Sequence, residues 1–278
     1  MNVNKQYIED LVNQIKTFTK DKPEVAIILG SGLSNVVDEM QDKIIIEYSQ
    51  LKNMLIPSVE GHKNRFILGK ISGKTIIVMQ GRFHPYNGFT AKQCAMPIYL
   101  FKLLGVKTLI VTTACGGVSE DLKAGDLMVM KSHINLTGMN PLIGGAIIDY
   151  GQTFIDLTNA YNKNYINQLK QIANNYNIDL KEGVFAQNLG PTYETPAESE
   201  MLRRLGIDAV SMSTVLEVIA AKQCDIDVLG ISCITNKVAG YNEEKPLNHT
   251  EVLDNANKIS KNVKILIYEF ISNLKCSE

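Results

Sequence analysis

Neither an excess of charge nor a long apolar run is present in this 278-residue chain. Lys and Arg together number 28 and Asp and Glu 29, which leaves a formal net charge of −1. A nucleic-acid-binding protein usually carries a basic excess or stripe, and this balance gives no sign of one. The longest apolar runs, such as 25–29 and 44–46, are the size of strands and too short to cross a bilayer. We therefore expect neither a nucleic-acid partner nor a membrane partner.

Cysteine is scarce and scattered: the five thiols lie at positions 94, 115, 224, 233 and 276. Their odd number and irregular spacing argue against a disulfide framework and against a zinc site, so no metal is expected. The first 16 residues, MNVNKQYIEDLVNQIK, lack the apolar core of a signal peptide. These features predict reduced thiols in a cytoplasmic protein.

No repeat, low-complexity stretch or long linker divides the sequence, which predicts a single domain over 1–278. Apolar periodicity predicts helices at 5–19, 91–104, 157–175, 195–205 and 215–223 and a last helix from about 252. Strands are predicted at 25–29, 44–48, 66–71, 75–80, 108–113, 127–134, 183–189, 209–211 and 227–235. This alternation is typical of an α/β fold. The short Ser-Gly-Lys link between 66–71 and 75–80 predicts a β-hairpin, so the sheet is expected to be mixed.

Two polar clusters that suit a phosphate group follow predicted strands, where α/β folds bind ligands. The first is GSG (30–32), whose glycines permit a tight turn with exposed amide N–H groups around Ser31. A dinucleotide fingerprint would need another small residue where Asn35 stands, so that alternative is weak. The second is GRFHPYNG (81–88), in which Arg82 and His84 lie two apart and would share one side of an extended segment. His62, just before another strand, is by itself more typical of a structural histidine.

Three further clusters lie at the ends of predicted strands, and the last two suit a purine. TTACGG (112–117) permits close backbone approach to a ligand, and GPTYET (190–195) places Tyr193 beside Glu194. Asn236 follows the predicted strand 227–235. An aromatic ring, a carboxylate and an amide have the chemistry to stack on a base and bind its polar edges. Taken singly, each residue also has a structural interpretation as a turn, cap or core residue.

In combination these segments resemble the trimeric purine nucleoside phosphorylases, which are related to the methylthioadenosine phosphorylases. The resemblance covers about residues 5–270. It rests on ILGSGL (28–33), GH (61–62), GRFHPYNG (81–88), TTACGG (112–117), KAGDLM (123–128), HINLTGMNPL (133–142), GPTYET (190–195), DAVSMST (208–214), ITNKV (234–238) and NH (248–249).

The resemblance implies an α/β fold with a mixed, partly barrel-like sheet, a homotrimer, and phosphorolysis of 6-oxopurine ribonucleosides and 2′-deoxyribonucleosides in purine salvage. Phosphate would be a co-substrate, with no metal or organic cofactor. The implied phosphate-binding residues are Ser31, Arg82, His84, Ala114 through its backbone N–H, and Ser213. The implied nucleoside-binding residues are His62, Tyr86, Phe154 from a neighbouring subunit, Tyr193, Glu194, the Met212 backbone, Asn236 and His249. The implied catalytic residues are His84, Glu194 and Asn236.

Five positions depart from the pattern of that family. Asn87 stands at a frequent glutamate, Thr113 at a frequent asparagine, and Cys115 at a frequent alanine. Ser211 stands at a common glycine and Tyr193 at a frequent phenylalanine. None of these changes removes a group that the chemistry requires, but they bear on fine substrate preference.

Three alternative functions stay open from the sequence. An asparagine at 236 favours 6-oxopurines, whereas a protonated aspartate would suit a 6-amino base, and His249 suits a 5′-hydroxyl better than a methylthio group. The nearest alternative is thus a methylthioadenosine or broad-specificity phosphorylase. A non-catalytic nucleoside-binding protein or a nucleosidase that uses water is disfavoured, because the residues of the implied phosphate clamp are all present: Ser31, Arg82, His84 and Ser213.

Overall fold

A computed structural model of the chain describes residues 3–58, 63–145, 147, 154–240 and 249–274, with side chains from 252 onward in the last range. Nine strands within these ranges form one sheet. They are β1 (Val25–Ile28), β2 (Gln41–Glu47), β3 (Arg65–Ile71), β4 (Lys74–Gln80), β5 (Thr108–Gly117), β6 (Leu127–Asn135), β7 (Leu180–Gln187), β8 (Ala209–Ser211) and β9 (Asp227–Lys237).

The sheet has an open half and a closed half. Its order is β2-β3-β4-β1-β5-β8-β7-β6-β9, and β9 also pairs with β5, so β5, β8, β7, β6 and β9 close on themselves. Strand β1 is parallel to β4 and β5, whereas β3 is antiparallel to both of its neighbours. The predicted α/β fold with a mixed, partly barrel-like sheet is confirmed, as is the hairpin of β3 and β4. Strand β5 belongs to both halves of the sheet.

Six helices flank the sheet in the part of the chain that is described: α1 (Lys5–Phe18), α2 (Ala91–Leu104), α3 (Lys163–Asn175), α4 (Pro196–Arg204), α5 (Val215–Gln223) and α6 (His249–Asn273). Helix α1 is amphipathic and buries Ile8, Leu11, Val12 and Ile15 of the face that the sequence periodicity predicts. Phe18, predicted on the same face, is 37% exposed because it is the last residue of the helix. Helix α2 packs against α1 and α5, and α6 packs against β9 and α3. Over the described ranges, the helices are either too short or too polar to span a membrane.

Two predicted elements differ most from the structure in their boundaries. The helix predicted at 157–175 begins only at Lys163, because the Asn162 side chain accepts the N–H groups of Asn164 and Tyr165 at 2.9 and 3.2 Å and so caps it there. Strand β5 continues to Gly117 rather than ending at residue 113, so TTACGG lies within a strand and not after one. The cause is tertiary structure, because β9 pairs with β5 over the whole length of β5. This pairing keeps even Gly116 and Gly117 extended.

Candidate active site

A cleft opens where the parallel strands β1, β5 and β9 run toward their carboxyl ends. Segments after β4, β7 and β8 complete its walls, and the described part of α6 contributes Val252. The lining residues are Gly30, Ser31, Arg82, His84, Tyr86, Thr113, Ala114, Cys115, Gly116, Tyr193, Glu194, Val210, Ser211, Met212, Ser213, Thr235, Asn236 and Val252.

The turn after β1 brings Ser31 to the cleft through a very close backbone approach. A Cβ atom on Gly30 would lie 2.8 Å from the Cα atom of Thr113, so only glycine fits beside β5. The Gly30 N–H donates to the Thr112 hydroxyl at 3.0 Å, and that hydroxyl donates to the Ile28 carbonyl at 3.2 Å. The turn is thereby fixed to β5, with Ser31 at the cleft wall.

Arg82 is the buried cation of the cleft and is held by two side chains. Its Nε lies 3.0 Å from Oε1 of Glu217 in α5, and its Nη1 donates to the Ser213 hydroxyl at 3.0 Å. Both Arg82 and Glu217 are only 2% exposed. Burial raises the pKa of the Glu217 carboxyl, and the Arg82 guanidinium beside it opposes that rise. The guanidinium is therefore a positive group set in a fixed orientation.

His84 is also buried, and its ring stacks on Tyr86 with centroids 4.7 Å apart and planes 21° from parallel. A short helical turn, Pro85–Asn87, places the two rings together after β4. Burial raises the pKa of Tyr86 to about 12, so its phenol keeps its proton at neutral pH and remains a hydrogen-bond donor. The turn thus presents an imidazole and a neutral phenol to the same cleft.

Three hydroxyl groups form a continuous chain beside Arg82. Thr113 Oγ1 lies 3.3 Å from Ser213 Oγ and 3.2 Å from Ser211 Oγ. Ser211 in turn donates to the Ala114 carbonyl at 2.8 Å. Thr113 and Ser211, two of the departures from the family pattern, are therefore in direct hydrogen-bonding contact.

The backbone that carries Ser213 is strained at its next residue. Thr214 has φ +91°, an unfavourable value for a β-branched residue, just before α5 begins. Gln187 stabilises this junction, because its Oε1 accepts the N–H groups of Val215 and Leu216 at 2.8 and 3.2 Å. Glu217 follows in the first turn of α5, where the helix dipole favours a carboxylate.

Asn236 occupies the opposite part of the cleft and is 8% exposed. Its Oδ1 accepts the Thr235 hydroxyl at 3.0 Å, and its Nδ2 donates to the carbonyl of Lys237 at 3.0 Å. The Thr235 hydroxyl also reaches the Cys115 carbonyl, at 3.3 Å. The amide thus has a defined orientation, with its oxygen fixed by Thr235 and its donor nitrogen bound only to backbone.

Glu194 and Tyr193 lie in the loop between β7 and α4. Glu194 accepts a hydrogen bond on Oε1 from the Asn188 amide at 2.8 Å, which orients the carboxylate. Burial raises the pKa of Tyr193, although this ring is still 37% exposed in the single chain. Met212 packs closely against this loop, since a Cβ atom on Gly190 would lie 2.3 Å from its sulfur.

The structure brings ten of the predicted site residues into this one cleft: Ser31, Arg82, His84, Tyr86, Ala114, Tyr193, Glu194, Met212, Ser213 and Asn236. Arg82 and His84 share the cleft although β4 ends at Gln80 and the segment after it turns. The extended geometry on which that expectation was based does not continue, and both residues nevertheless line the cleft.

Three predicted residues are not brought to the cleft by the described structure. Phe154 is 90% exposed and does not line the cleft of its own chain. His62 lies outside the described residues, and for His249 the description covers only its place as the first residue of α6. Val252, from the first turn of the same helix, does line the cleft.

Sequence reasoning missed Glu217 and Thr235. Glu217 is the one charged residue in the apolar segment VLEVIAA (215–221), and that isolation was a signal of a buried partner. Thr235 had no such signal, because its contact with Asn236 depends on the geometry of β9. Among the residues described, His, Cys, Asp and Glu nowhere form a group of three that could hold a metal ion.

Comparison with known proteins identifies the family of this chain. Residues 24–272 match the family model described as the phosphorylase superfamily. Purine nucleoside phosphorylase 1 of Geobacillus stearothermophilus is 42% identical over 272 residues, which cover 98% of this chain and 99% of that protein. The Rattus norvegicus purine nucleoside phosphorylase is 39% identical, covering 91% of both chains.

Solved structures agree at the level of the fold. Crystal structures of Schistosoma mansoni purine nucleoside phosphorylase with inosine and with adenosine superpose with TM-scores of 0.93 and 0.94 at 37% identity. They cover 100% of this chain and 99% and 100% of theirs, respectively. Identity of this extent over nearly the full length, together with the cleft described above, establishes that this chain belongs to the phosphorylase superfamily and, within it, to the purine nucleoside phosphorylases.

Proposed function

We propose that this chain cleaves 6-oxopurine nucleosides, such as inosine and guanosine and their 2′-deoxy forms, with inorganic phosphate. The products are the free purine and the pentose 1-phosphate, as purine salvage requires. The observation that carries the proposal is that one cleft holds an anion-binding group of Arg82, His84 and Ser213 together with the amide of Asn236 and the carboxylate of Glu194.

The phosphate half of the cleft positions the nucleophile. Arg82 and the Ser213 hydroxyl supply charged and neutral donors, and Ser31, His84 and the Ala114 N–H complete the proposed set. Phosphate is already a nucleophile, so these groups orient it and balance part of its charge rather than activate it. No covalent intermediate with the protein is needed.

The base half stabilises the leaving group. A phosphate oxygen forms a bond to C1′ while the bond from C1′ to N9 breaks, so positive charge develops on the sugar and the electron pair passes to the purine. The Asn236 amide donates a hydrogen bond to N7, and Glu194 accepts the N1–H of a 6-oxopurine. Tyr193 packs on the base. Because Thr235 fixes the Asn236 oxygen, the amide offers its nitrogen to the substrate, which suits N7 and O6.

The sugar is bound by Tyr86, the Met212 backbone, His62 and His249 in this proposal, with Phe154 supplied by a neighbouring subunit. The exposure of Phe154 in the single chain supports a role outside its own cleft. We accordingly propose a homotrimer as the working form. The scattered, unpaired pattern of cysteines supports a cytoplasmic location, and four of them, at 94, 115, 224 and 233, are free and buried in the structure.

The test is to measure purine release from inosine, guanosine, adenosine and methylthioadenosine, each with and without phosphate. We expect release from inosine and guanosine only with phosphate, with equal amounts of pentose 1-phosphate, and at least about tenfold slower release from the two 6-amino substrates. Equal release without phosphate would identify a nucleosidase instead. Preference for methylthioadenosine would favour the related phosphorylase, and binding without release would indicate a nucleoside-binding protein.

A further inference from the structure

Glu217 lies behind the cleft wall, where the burial of a carboxylate opposes folding. It is 2% exposed, and the only side chain that hydrogen-bonds to it in the described structure is Arg82, at 3.0 Å on Oε1. No described donor reaches its other oxygen, Oε2. The polar surroundings that would normally compensate a buried carboxylate are thus incomplete.

A buried ion pair of this kind is a weak source of fold stability. Taking two charges out of water opposes folding, and a buried ion pair often contributes no more than apolar side chains of the same volume. The neighbours of Glu217 in α5 are apolar, so a leucine or methionine there would continue the core. A carboxylate at this position therefore indicates that Glu217 acts through its hydrogen-bond partner, Arg82.

This action follows from the geometry of the guanidinium. Arg82 is a planar fork, so a bond at Nε together with a bond from Nη1 to Ser213 fixes the plane and the direction of the whole group. Because Ser213 Oγ accepts from Arg82, its own hydrogen points away from the guanidinium, toward the Thr113 or Thr214 hydroxyl or an acceptor bound in the cleft. Both donors face the cleft that Arg82 and Ser213 line. Glu217 thereby controls two phosphate donors without touching phosphate.

We propose that Glu217 is a positioning residue for phosphate, which acts by fixing the Arg82 guanidinium and, through it, the Ser213 hydroxyl. The inference rests on the phosphorolysis proposed above and assigns a role that no sequence motif indicated. Loss of Glu217 should therefore affect the orientation of phosphate and not the binding of the nucleoside, because Glu217 touches neither the sugar half nor the base half of the cleft.

The test compares Glu217→Ala and Glu217→Gln with a matched control, Glu182→Gln. Glu182 pairs with Lys170 at 2.9 Å on the surface, so its variant removes a carboxylate from an ion pair outside the cleft. For each protein, KM is measured separately for phosphate at saturating inosine and for inosine at saturating phosphate.

Glu217→Ala should raise the phosphate KM by about tenfold or more, the effect expected for a lost charged hydrogen bond. Glu217→Gln should raise it by about threefold to tenfold, because its amide oxygen still accepts from Nε but without charge. The inosine KM should stay within about twofold in both, and Glu182→Gln should match the parent. Should Glu217→Ala fail to fold, the glutamine variant decides alone, because it matches glutamate in size.

A double variant tests whether Glu217 acts through Arg82. In an Arg82→Ala background, adding Glu217→Gln should change the phosphate KM by less than about twofold, because the group that Glu217 orients is gone. An additive effect would overturn the proposal, as would an unchanged phosphate KM in both single variants or an equal rise in the two KM values. Calorimetry with inorganic phosphate gives an independent readout. If the parent shows no phosphate-dependent release, the proposed function fails, and calorimetry then decides the role of Glu217 by itself.

Discussion

Replacing Asn236 by aspartate exchanges one donor for one acceptor at the place where the purine is expected to gain charge. In the parent, Nδ2 donates to the Lys237 carbonyl at 3.0 Å and Oδ1 accepts from Thr235 at 3.0 Å. An ionised aspartate still accepts a hydrogen bond from Thr235. Its other oxygen, however, faces the Lys237 carbonyl, and two acceptors repel each other. The aspartate also places a negative charge in a site that is only 8% exposed.

The magnitude follows from that lost donor. Removing a hydrogen bond that stabilises developing negative charge costs about 2.7–4 kcal/mol, or roughly a hundredfold to a thousandfold in rate, and we expect this loss for inosine. Burial favours the neutral acid, which donates to N7 while its carbonyl oxygen accepts from a 6-amino group. The ratio of adenosine to inosine cleavage should therefore rise by at least about tenfold, which is roughly 1.4 kcal/mol in relative barrier.

The assay is initial-rate kinetics with both nucleosides at saturating phosphate, reported as kcat/KM. Asn273→Asp is the matched control, because Asn273 donates to a backbone carbonyl in the exposed last turn of α6 and lies outside the cleft. It should leave both rates unchanged. Equal slowing of adenosine and inosine by Asn236→Asp would refute the argument and would make Asn236 a support of the loop rather than a reader of the base.

The other predictions concern phosphate, assembly and acid stability. Arg82→Ala and His84→Ala should each weaken phosphate use by about 1.5–3 kcal/mol and affect nucleoside binding less, and unchanged phosphate kinetics in both would contradict the assignment. Light scattering should give a mass three times the 30.8 kDa of one chain. Phe154→Ala should raise the KM for the nucleoside in that trimer, and an active monomer would contradict the proposed assembly. Burial lowers the pKa of His133 from 6.5 to about 4, so the unfolded chain binds a proton that the folded one excludes, and stability falls as pH drops below about 6.5. Between pH 7 and pH 5 the loss of unfolding free energy should be smaller in His133→Asn by about 2 kcal/mol, as measured by urea unfolding, and equal losses would exclude His133 as the cause.

Local patterns predicted the parts of the fold that depend on neighbours in sequence. The apolar stripe of α1 and the hairpin of β3 and β4 were correct, because periodicity and a short turn specify them directly. The extension of β5 through Gly117 was not predicted, since two glycines favour a turn until a partner strand holds them extended. The capped start of α3 at Asn162 was missed because the periodicity continues before the cap.

The residues of the candidate site also divide into those that local sequence predicts and those that it does not. Ser31, Arg82 and Asn236 were found because polar residues at strand ends stand out in sequence. The partners that orient them were not, because Arg82 and Glu217 are separated by 135 positions and Thr113 and Ser213 by 100. Such pairs can be recognised only once the strand order is known. The roles of all the site residues stay predictions, and those of His62, Phe154 and His249 rest on the resemblance alone.

Strand β5 supplies backbone to both ends of the cleft, with Ala114 at the proposed phosphate end and Gly116 beside Asn236. Its pairing with β9 shifts register between Cys115 and Gly116, so the two ends meet at one irregular step of a single strand. In the proposed arrangement, any redesign that widens the base pocket through β5 will also displace Ala114, the proposed phosphate ligand. Changes of substrate range are better sought in the loop of Tyr193 and Glu194, which can vary while the nucleophile stays in place.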